Sequence, residues 1–78
     1  MKNRFIVYIE VGCPYSAKVK RFLSGSKIKA TFIDIDKGNN REELIKRGGK
    51  SQVPYLIDGE TGVEMYESED ILEYLRGL

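Results

Sequence analysis

The residues with the clearest chemical potential lie in the stretch GCPYS, residues 12–16. Cys13 is the only cysteine of the 78-residue chain, and it follows shortly after an apolar run. As a thiolate, Cys13 would be a nucleophile and equally a leaving group in thiol–disulfide exchange. As a neutral thiol it would be a small buried hydrophobe, which is what most free cysteines are. The elements that position Cys13 decide between these two roles.

A helix that starts at Pro14 favours the reactive role. Proline suits the first helical position, because its fixed φ matches the helix and its missing N–H needs no partner there. The N–H groups of Tyr15 and Ser16 then have no intrahelical partner and point toward the sulfur. Together with the helix dipole they stabilise a thiolate, and such sites lower thiol pKa values to roughly 3.5–7.5. Position alone leaves both roles open.

The pattern along the chain predicts the order βαβαββα. Residues 5–9 form a continuous apolar run, which is typical of a strand covered on both faces. Residues 29–36 alternate with period two and predict a second strand, and residues 53–66 read as two short strands around a turn. Two parallel strands joined by a right-handed helical crossover are expected at the start. The fold class is therefore α/β, with a four-stranded mixed sheet flanked by three helices.

Three helices are expected, each with an apolar face. The first begins at Pro14 and ends at the Ser-Gly-Ser of residues 24–26, and the second covers residues 41–47 and ends at Gly48 and Gly49. Ser68 is expected to cap the third helix. The residues expected to face inward are Ala17, Val19, Phe22 and Leu23 in the first helix, Leu44 and Ile45 in the second, and Ile71, Tyr74, Leu75 and Leu78 in the third.

Composition excludes several classes of function. A chain of 78 residues predicts one domain, residues 1–78, near the lower size limit for a self-supporting core. The net charge of +1 gives no argument for nucleic acid or a membrane surface. With no histidine and one cysteine, a mononuclear zinc site is excluded within one chain. A single cysteine also favours a reducing compartment, so we expect the cytoplasm. The basic and then apolar start is too short for a leader peptide.

Three segments together resemble a known family. GCPYS before a helix, SQVPYLID and ESEDILEYL occur in this order, and in that combination the chain resembles a glutaredoxin. It also resembles the amino-terminal, glutathione-binding domain of glutathione transferases. The resemblance covers nearly the whole chain and implies a thioredoxin-like fold. It further implies Cys13 as the catalytic residue and glutathione as co-substrate.

The resemblance also implies a set of supporting and binding residues. Pro54 matches the family's cis-proline, which would expose the Val53 backbone to pair with the cysteinyl part of glutathione. The amides at residues 68–70 suit the γ-glutamyl carboxylate at a helix start. The implied supporting residues are Pro14, Tyr15 and Ser16, and the implied glutathione-binding residues are Tyr15, Gln52, Val53, Pro54, Ser68, Glu69 and Asp70. The plain alternatives are a tight turn at Pro54, a surface aromatic at Tyr15 and simple helix capping at residues 68–70.

Two departures from the glutaredoxin pattern matter. Ser16 stands where the family usually has a second cysteine, which leaves a monothiol site; it is either native or an engineered replacement that traps a glutathione adduct. Glu10 stands where the family usually has a lysine, and a like charge there disfavours both the thiolate and the glycyl carboxylate of glutathione. Candidates that could supply the missing positive or polar group are Gln52, Arg47, Lys50 and Arg41.

Three hypotheses of function follow. The first is a monothiol, glutathione-dependent thiol–disulfide oxidoreductase, expected to be monomeric and to act on glutathionylated proteins or small disulfides. The second is a module that binds glutathione or an iron–sulfur cluster, with little turnover. One cysteine cannot hold such a cluster, which takes four ligands, but two chains together with two glutathiones could. The third is a transferase-type domain, against which the absence of a following all-helical domain counts.

Overall fold

The computed structural model describes residues 3–78, and it has the predicted order of elements. The strands are β1 (Phe5–Ile9), β2 (Ala30–Asp34), β3 (Tyr55–Asp58) and β4 (Glu64–Met65), and the helices are α1 (Pro14–Ser24), α2 (Asn40–Gly48) and α3 (Ser68–Arg76). Strand β2 is shorter than the alternating pattern suggested, because the chain turns after Asp34 toward α2.

The four strands form one mixed sheet in the order β2-β1-β3-β4. Strand β1 pairs in parallel with β2 and antiparallel with β3, so that Val7 lies between Phe32 and Leu56. Strand β4 extends the sheet antiparallel to β3. The predicted α/β, thioredoxin-like architecture is therefore confirmed, with β1 in the interior of the sheet and its carboxyl end leading to Cys13.

Side chains that alternate along β1 enter two separate hydrophobic clusters. Phe5, Val7 and Ile9 pack with residues of α1 and α3, while Tyr8 packs in a second cluster that includes Leu44 of α2. This alternation follows from the two-residue period of a strand. It confirms that β1 is covered on both faces, and it anchors the chain just before the thiol.

Three residues expected to face inward are exposed instead. Helix α1 buries Ser16, Val19 and Leu23 on one face, which leaves Ala17 toward solvent. Ile45 is 42% exposed because the nine-residue α2 buries only its neighbour Leu44. Leu78 is 56% exposed because α3 ends at Arg76, before the position that would continue the apolar stripe.

The start of α3 also differs from the prediction. Glu67, not Ser68, is the N-cap residue, and Ser68 is the first helical residue, buried to 6% exposure. The backbone of Glu67 has a positive φ of 70°, and it is the only non-glycine residue with positive φ among residues 3–78. The chain turns sharply there so that Ser68 can lie inside. No helix within the described residues is long and apolar enough to span a membrane.

Candidate functional site

Cys13 occupies the N-cap position of α1. Its backbone is extended, with φ −80° and ψ 119°, and Pro14 follows at the start of the helix. The Cys13 amide donates to the carbonyl of Glu10 at 3.1 Å, and the Cys13 carbonyl accepts from the amide of Ala17 at 3.0 Å. Gly12 has a φ of +92°, which residues with a side chain rarely adopt. This tight turn places a free, half-buried thiol directly at the helix start.

The surroundings of the sulfur favour its ionised form. Burial raises the pKa of the Cys13 thiol, but hydrogen bonding from the Ser16 amide and hydroxyl and from the Tyr15 amide outweighs burial, so the pKa lies below its ordinary value. The charge of Glu10 opposes this shift and is the weakest of these contributions. Hydrogen bonds to a negative charge favour the charged form, so these donors stabilise the thiolate.

Ser16 is buried beside this sulfur, with 2% of its surface exposed. Its hydroxyl oxygen accepts a hydrogen bond from the amide of Glu10 at 3.2 Å. Since a hydroxyl carries one proton and that proton is not used in this bond, it is available to Cys13. Ser16 thus links the end of β1 to the reactive atom, in the position where a resolving thiol would otherwise lie.

An open groove of about 390 Å³ lies beside the first turn of α1. The structure brings together six of the seven residues predicted to bind glutathione, and adds one that was not predicted. The lining residues are Tyr15, Gln52, Val53, Pro54, Glu67, Ser68 and Glu69. Tyr15 is 62% exposed and forms one wall, and the Val53–Pro54 peptide bond is cis. Pro14 lies outside this set, at the first position of the helix.

Charged and polar side chains of the groove already have partners. Gln52 Nε2 donates to Glu67 Oε1 at 2.8 Å. Lys18 of α1 forms an ion pair with Glu69, and this lowers the pKa of the Glu69 carboxyl. Asp70 does not line the groove; it lies with Tyr74 in a separate cavity of about 620 Å³. Adjacent helical residues are rotated by about 100°, so Glu69 lines the groove while Asp70 does not, and a role for Asp70 at the ligand stays a prediction.

Glu10 forms an ion pair with a residue distant in sequence. The guanidinium of Arg41, in the first turn of α2, donates to Glu10 Oε2 at 3.3 Å and to Asp36 Oδ1 at 2.8 Å. Arg47, another candidate for the missing cation, is held by Glu64 through two bonds of 3.2 Å. Of the charged candidates, Arg41 is the one that contacts Glu10 near the thiol.

Comparison with known proteins shows the family of the chain. A model of the glutathione S-transferase N-terminal domain matches residues 7–78. The chain belongs to this family. Glutaredoxin 3 of Escherichia coli is 38% identical over 53 residues, which are 65% of this chain and 63% of that protein. The match thus spans less than two thirds of that relative.

Solved structures support the same fold for this transferase-type domain. A buckwheat glutaredoxin–glutathione complex has a TM-score of 0.75 at 20% identity, covering 96% of this chain and 70% of that chain. Glutaredoxin 2 of Salmonella typhimurium, in complex with glutathione, has a TM-score of 0.78 at 22% identity and covers 95% of this chain but 33% of that chain. The domain therefore shares the thioredoxin-like fold both with short glutaredoxins and with part of a longer protein.

Glu67 is the groove residue of this transferase-type domain that sequence analysis missed. Two signals were present: it directly precedes Ser68, and it lies at a helix start where an acidic residue is favourable. Its positive φ could not be expected for a glutamate, since side chains disfavour that conformation. Residues held in such conformations cluster at functional sites.

Proposed function

We propose that this domain is a glutathione-dependent thiol–disulfide oxidoreductase that acts by a monothiol mechanism on glutathione mixed disulfides. The observation that carries the proposal is the Cys13 thiol at the start of α1, with its pKa lowered and an open groove beginning two residues away at Tyr15. Cys13 itself lines a separate, smaller cavity of about 170 Å³, so its thiolate would attack a disulfide whose glutathione half occupies the groove and whose sulfur reaches past Tyr15.

The reaction has two exchange steps. Cys13 thiolate attacks the glutathione sulfur of a mixed disulfide, a new Cys13–glutathione disulfide forms, and the target leaves as a thiolate that takes up a proton. A second glutathione thiolate then attacks the glutathione sulfur of the adduct, which yields oxidised glutathione and restores the Cys13 thiolate. The donors at Ser16 and Tyr15 that lower the Cys13 pKa also make this sulfur a good leaving group in the second step.

The groove supplies groups for each part of glutathione. The exposed backbone of Val53 would pair with the cysteinyl part, and the helix start at Ser68 would receive the γ-glutamyl carboxylate. We assign the γ-glutamyl ammonium to Glu67, since Glu69 is already paired with Lys18. Arg41 would offer the glycyl carboxylate the positive charge that Glu10 does not provide, and to do so it would exchange one of its present partners, Glu10 or Asp36, for the ligand.

The first experiment tests for the adduct. Incubation with oxidised glutathione should add the mass of one glutathionyl group to the intact chain, and Cys13→Ser should abolish both the adduct and the reduction of a glutathione mixed disulfide. The rate of alkylation at Cys13 should rise with pH about a midpoint below the ordinary thiol value of about 8.5. Turnover by Cys13→Ser, or a chain that never accepts glutathione, would refute the proposal.

Ser16 tests the monothiol mechanism with a matched pair of variants. Ser16→Cys places a second sulfur one helical turn along, so it should form an internal disulfide and gain reduction of protein disulfides, because attack within the molecule has a high effective concentration. Ser16→Ala removes only the hydroxyl and should lower mixed-disulfide turnover roughly twofold to tenfold. If Ser16→Cys shows no internal disulfide by thiol titration, the assignment of position 16 fails.

Arg41 tests the charge balance near the thiol. Arg41→Gln leaves Glu10 unopposed, so the alkylation midpoint of Cys13 should rise and glutathione affinity should fall. Adding Glu10→Gln to that variant should restore the midpoint but not the affinity, because the glycyl carboxylate still lacks its cation. Both carboxylate and guanidinium are partly exposed, so these effects should weaken with salt.

The family match supports a second candidate function. As a glutathione transferase, the domain would use the same groove to hold glutathione. It would then activate the sulfur of glutathione itself, without an adduct on Cys13. Conjugation of glutathione to 1-chloro-2,4-dinitrobenzene separates the two. If the domain is a transferase, the Cys13→Ser variant still conjugates glutathione to this substrate, and the parent chain forms no glutathione adduct at Cys13. If the domain is an oxidoreductase, neither chain conjugates glutathione to it.

A further inference from the structure

A second cavity lies against α2 and shares no residue with the groove. It has a volume of about 540 Å³ and is lined by Tyr8 of β1 and by Glu43, Lys46 and Arg47 of α2. This volume falls in the range of small-molecule sites, about 300–1,000 Å³, but the cavity is shallow and open to solvent, and three of its lining residues, Glu43, Lys46 and Arg47, are exposed. The mechanism proposed above uses none of these four residues.

The hydroxyl of Tyr8 is the unexplained group in this cavity. Tyr8 is buried to 6% exposure, with its ring packed against that of Tyr55 at a centroid distance of 6.2 Å. The hydroxyl has no hydrogen-bond partner among residues 3–78. Every fully buried side-chain oxygen in those residues does have a partner. The hydroxyl is therefore not fully buried, and Tyr8 lines the cavity. A tyrosine buried to this degree usually has a partner for its hydroxyl.

Two cations accompany this hydroxyl. Arg47 is fixed in place because its Nε and Nη2 both donate to Glu64, and its Nη1 has no partner within the described residues. Lys46 forms no ion pair in the same part of the chain. Glu43, one turn before, adds a carboxylate that accepts hydrogen bonds. The cavity thus combines three kinds of donor with one acceptor.

We propose that this cavity binds a small hydroxylated organic anion, whose phosphate or carboxylate group accepts hydrogen bonds from Tyr8, Lys46 and Arg47. A ligand hydroxyl would donate to Glu43, whose charge, like that of Glu64 beside Arg47, otherwise disfavours a bare anion. Burial, followed by the charge of Glu43, raises the pKa of Tyr8, so the phenol stays protonated and acts as a donor at neutral pH.

The test is a titration of the full chain followed by amide NMR shifts. Glycerol 3-phosphate and glycerate are the two anionic probes, which separate phosphate from carboxylate recognition, and glycerol is the uncharged control. We expect saturable shifts at residues 8 and 43–47 with at least one anion and none with glycerol. Tyr8→Phe should weaken that binding about tenfold, the typical effect of one hydrogen bond to a charged group.

Charge controls keep the proposal falsifiable. Lys46→Gln should weaken binding several-fold, whereas Lys29→Gln, which removes the same charge from an exposed position away from the cavity, should leave it unchanged. Tyr8→Phe loses no internal hydrogen bond, so its NMR spectrum should stay as dispersed as that of the parent. If Tyr8→Phe does not fold, the binding of Lys46→Gln decides the test instead. Equal affinity of Lys46→Gln and the parent, or equal effects of the two lysine variants, would overturn the site.

Discussion

The hydroxyl of Tyr74 should be a major stabiliser of this domain through a buried carboxylate. Asp58 ends β3 with 0% of its surface exposed. It accepts two bonds of 2.9 Å from Arg4 and one of 2.5 Å from the Tyr74 hydroxyl. These contacts hold the pKa of Asp58 well below its usual range, the Arg4 guanidinium most strongly. The cluster ties the chain before β1, the end of β3 and helix α3 into one unit.

Tyr74→Phe removes one hydrogen bond from a buried, charged acceptor, together with a 3.0 Å hydrogen bond between the Tyr74 hydroxyl and the exposed Thr61 hydroxyl, which should add little. Such bonds contribute about 1.5–3 kcal/mol, and because Asp58 Oδ2 keeps its bond to Arg4, we expect the lower end, about 1.5 kcal/mol. For a domain of this size that lowers Tm by roughly 6–12 °C. Tyr15→Phe is the matched control, since the exposed Tyr15 hydroxyl has no partner among residues 3–78.

The same variant predicts a dependence on pH. Because the folded pKa of Asp58 is depressed, its contribution to stability is present above the unfolded value of about 3.9 and is lost as pH falls further. Because the unfolded state is common to both chains, the difference in free energy of unfolding between parent and Tyr74→Phe should persist from neutral pH to below about pH 4, and should shrink only as pH approaches the depressed folded pKa of Asp58. Urea titrations at several pH values measure it. A neutral-pH difference under about 0.5 kcal/mol, or one that grows in acid, would refute this account.

Two further substitutions test the turn that bears Glu67. Gly48→Ala should destabilise the domain by about 1–3 kcal/mol, because a Cβ at residue 48 would overlap the Tyr66 hydroxyl. Gly25→Ala is the control, since its Cβ would meet nothing closer than 3.7 Å. It should change the free energy of unfolding by less than about 0.5 kcal/mol. Glu67→Gly should leave the free energy of unfolding unchanged or raise it by up to about 1 kcal/mol, since glycine accepts the positive φ. Calorimetric titration should show that the same variant binds glutathione more weakly. A clear loss of stability would contradict this account of the turn.

Much of the fold could be predicted because it depends on local pattern. The apolar run of β1 and the alternation of β2 require only side-chain periodicity, and the start of α1 at Pro14 requires only the geometry of proline. The errors occur where packing decides. Ile45 and Leu44 are equally apolar neighbours, yet α2 is one short helix on its side of the sheet and can bury only one of them.

The candidate site was predictable in part for the same reason. The thiol and its amide donors belong to one helical turn, so their arrangement follows from sequence order. The groove combines three distant segments, and only a family resemblance brought Val53 and Ser68 to the same place before the structure did. Tyr8 gave no signal, because its spacing in β1 is that of an ordinary core residue, and its unpaired hydroxyl is a property of the assembled α2 face.

Glu10 shows how a local conflict can be resolved by tertiary structure. Sequence order places this carboxylate three residues before Cys13, and on that basis alone it opposes the thiolate. In the folded chain Arg41, 31 residues away, contacts Glu10 at 3.3 Å, while the Glu10 amide holds Ser16 in place. The charge of the Glu10 side chain is thereby partly offset, and its backbone supports a donor to the sulfur. The thiolate is thus stabilised by dipoles fixed at the helix start rather than by a neighbouring lysine, so its pKa should respond more to changes at Ser16 than to salt.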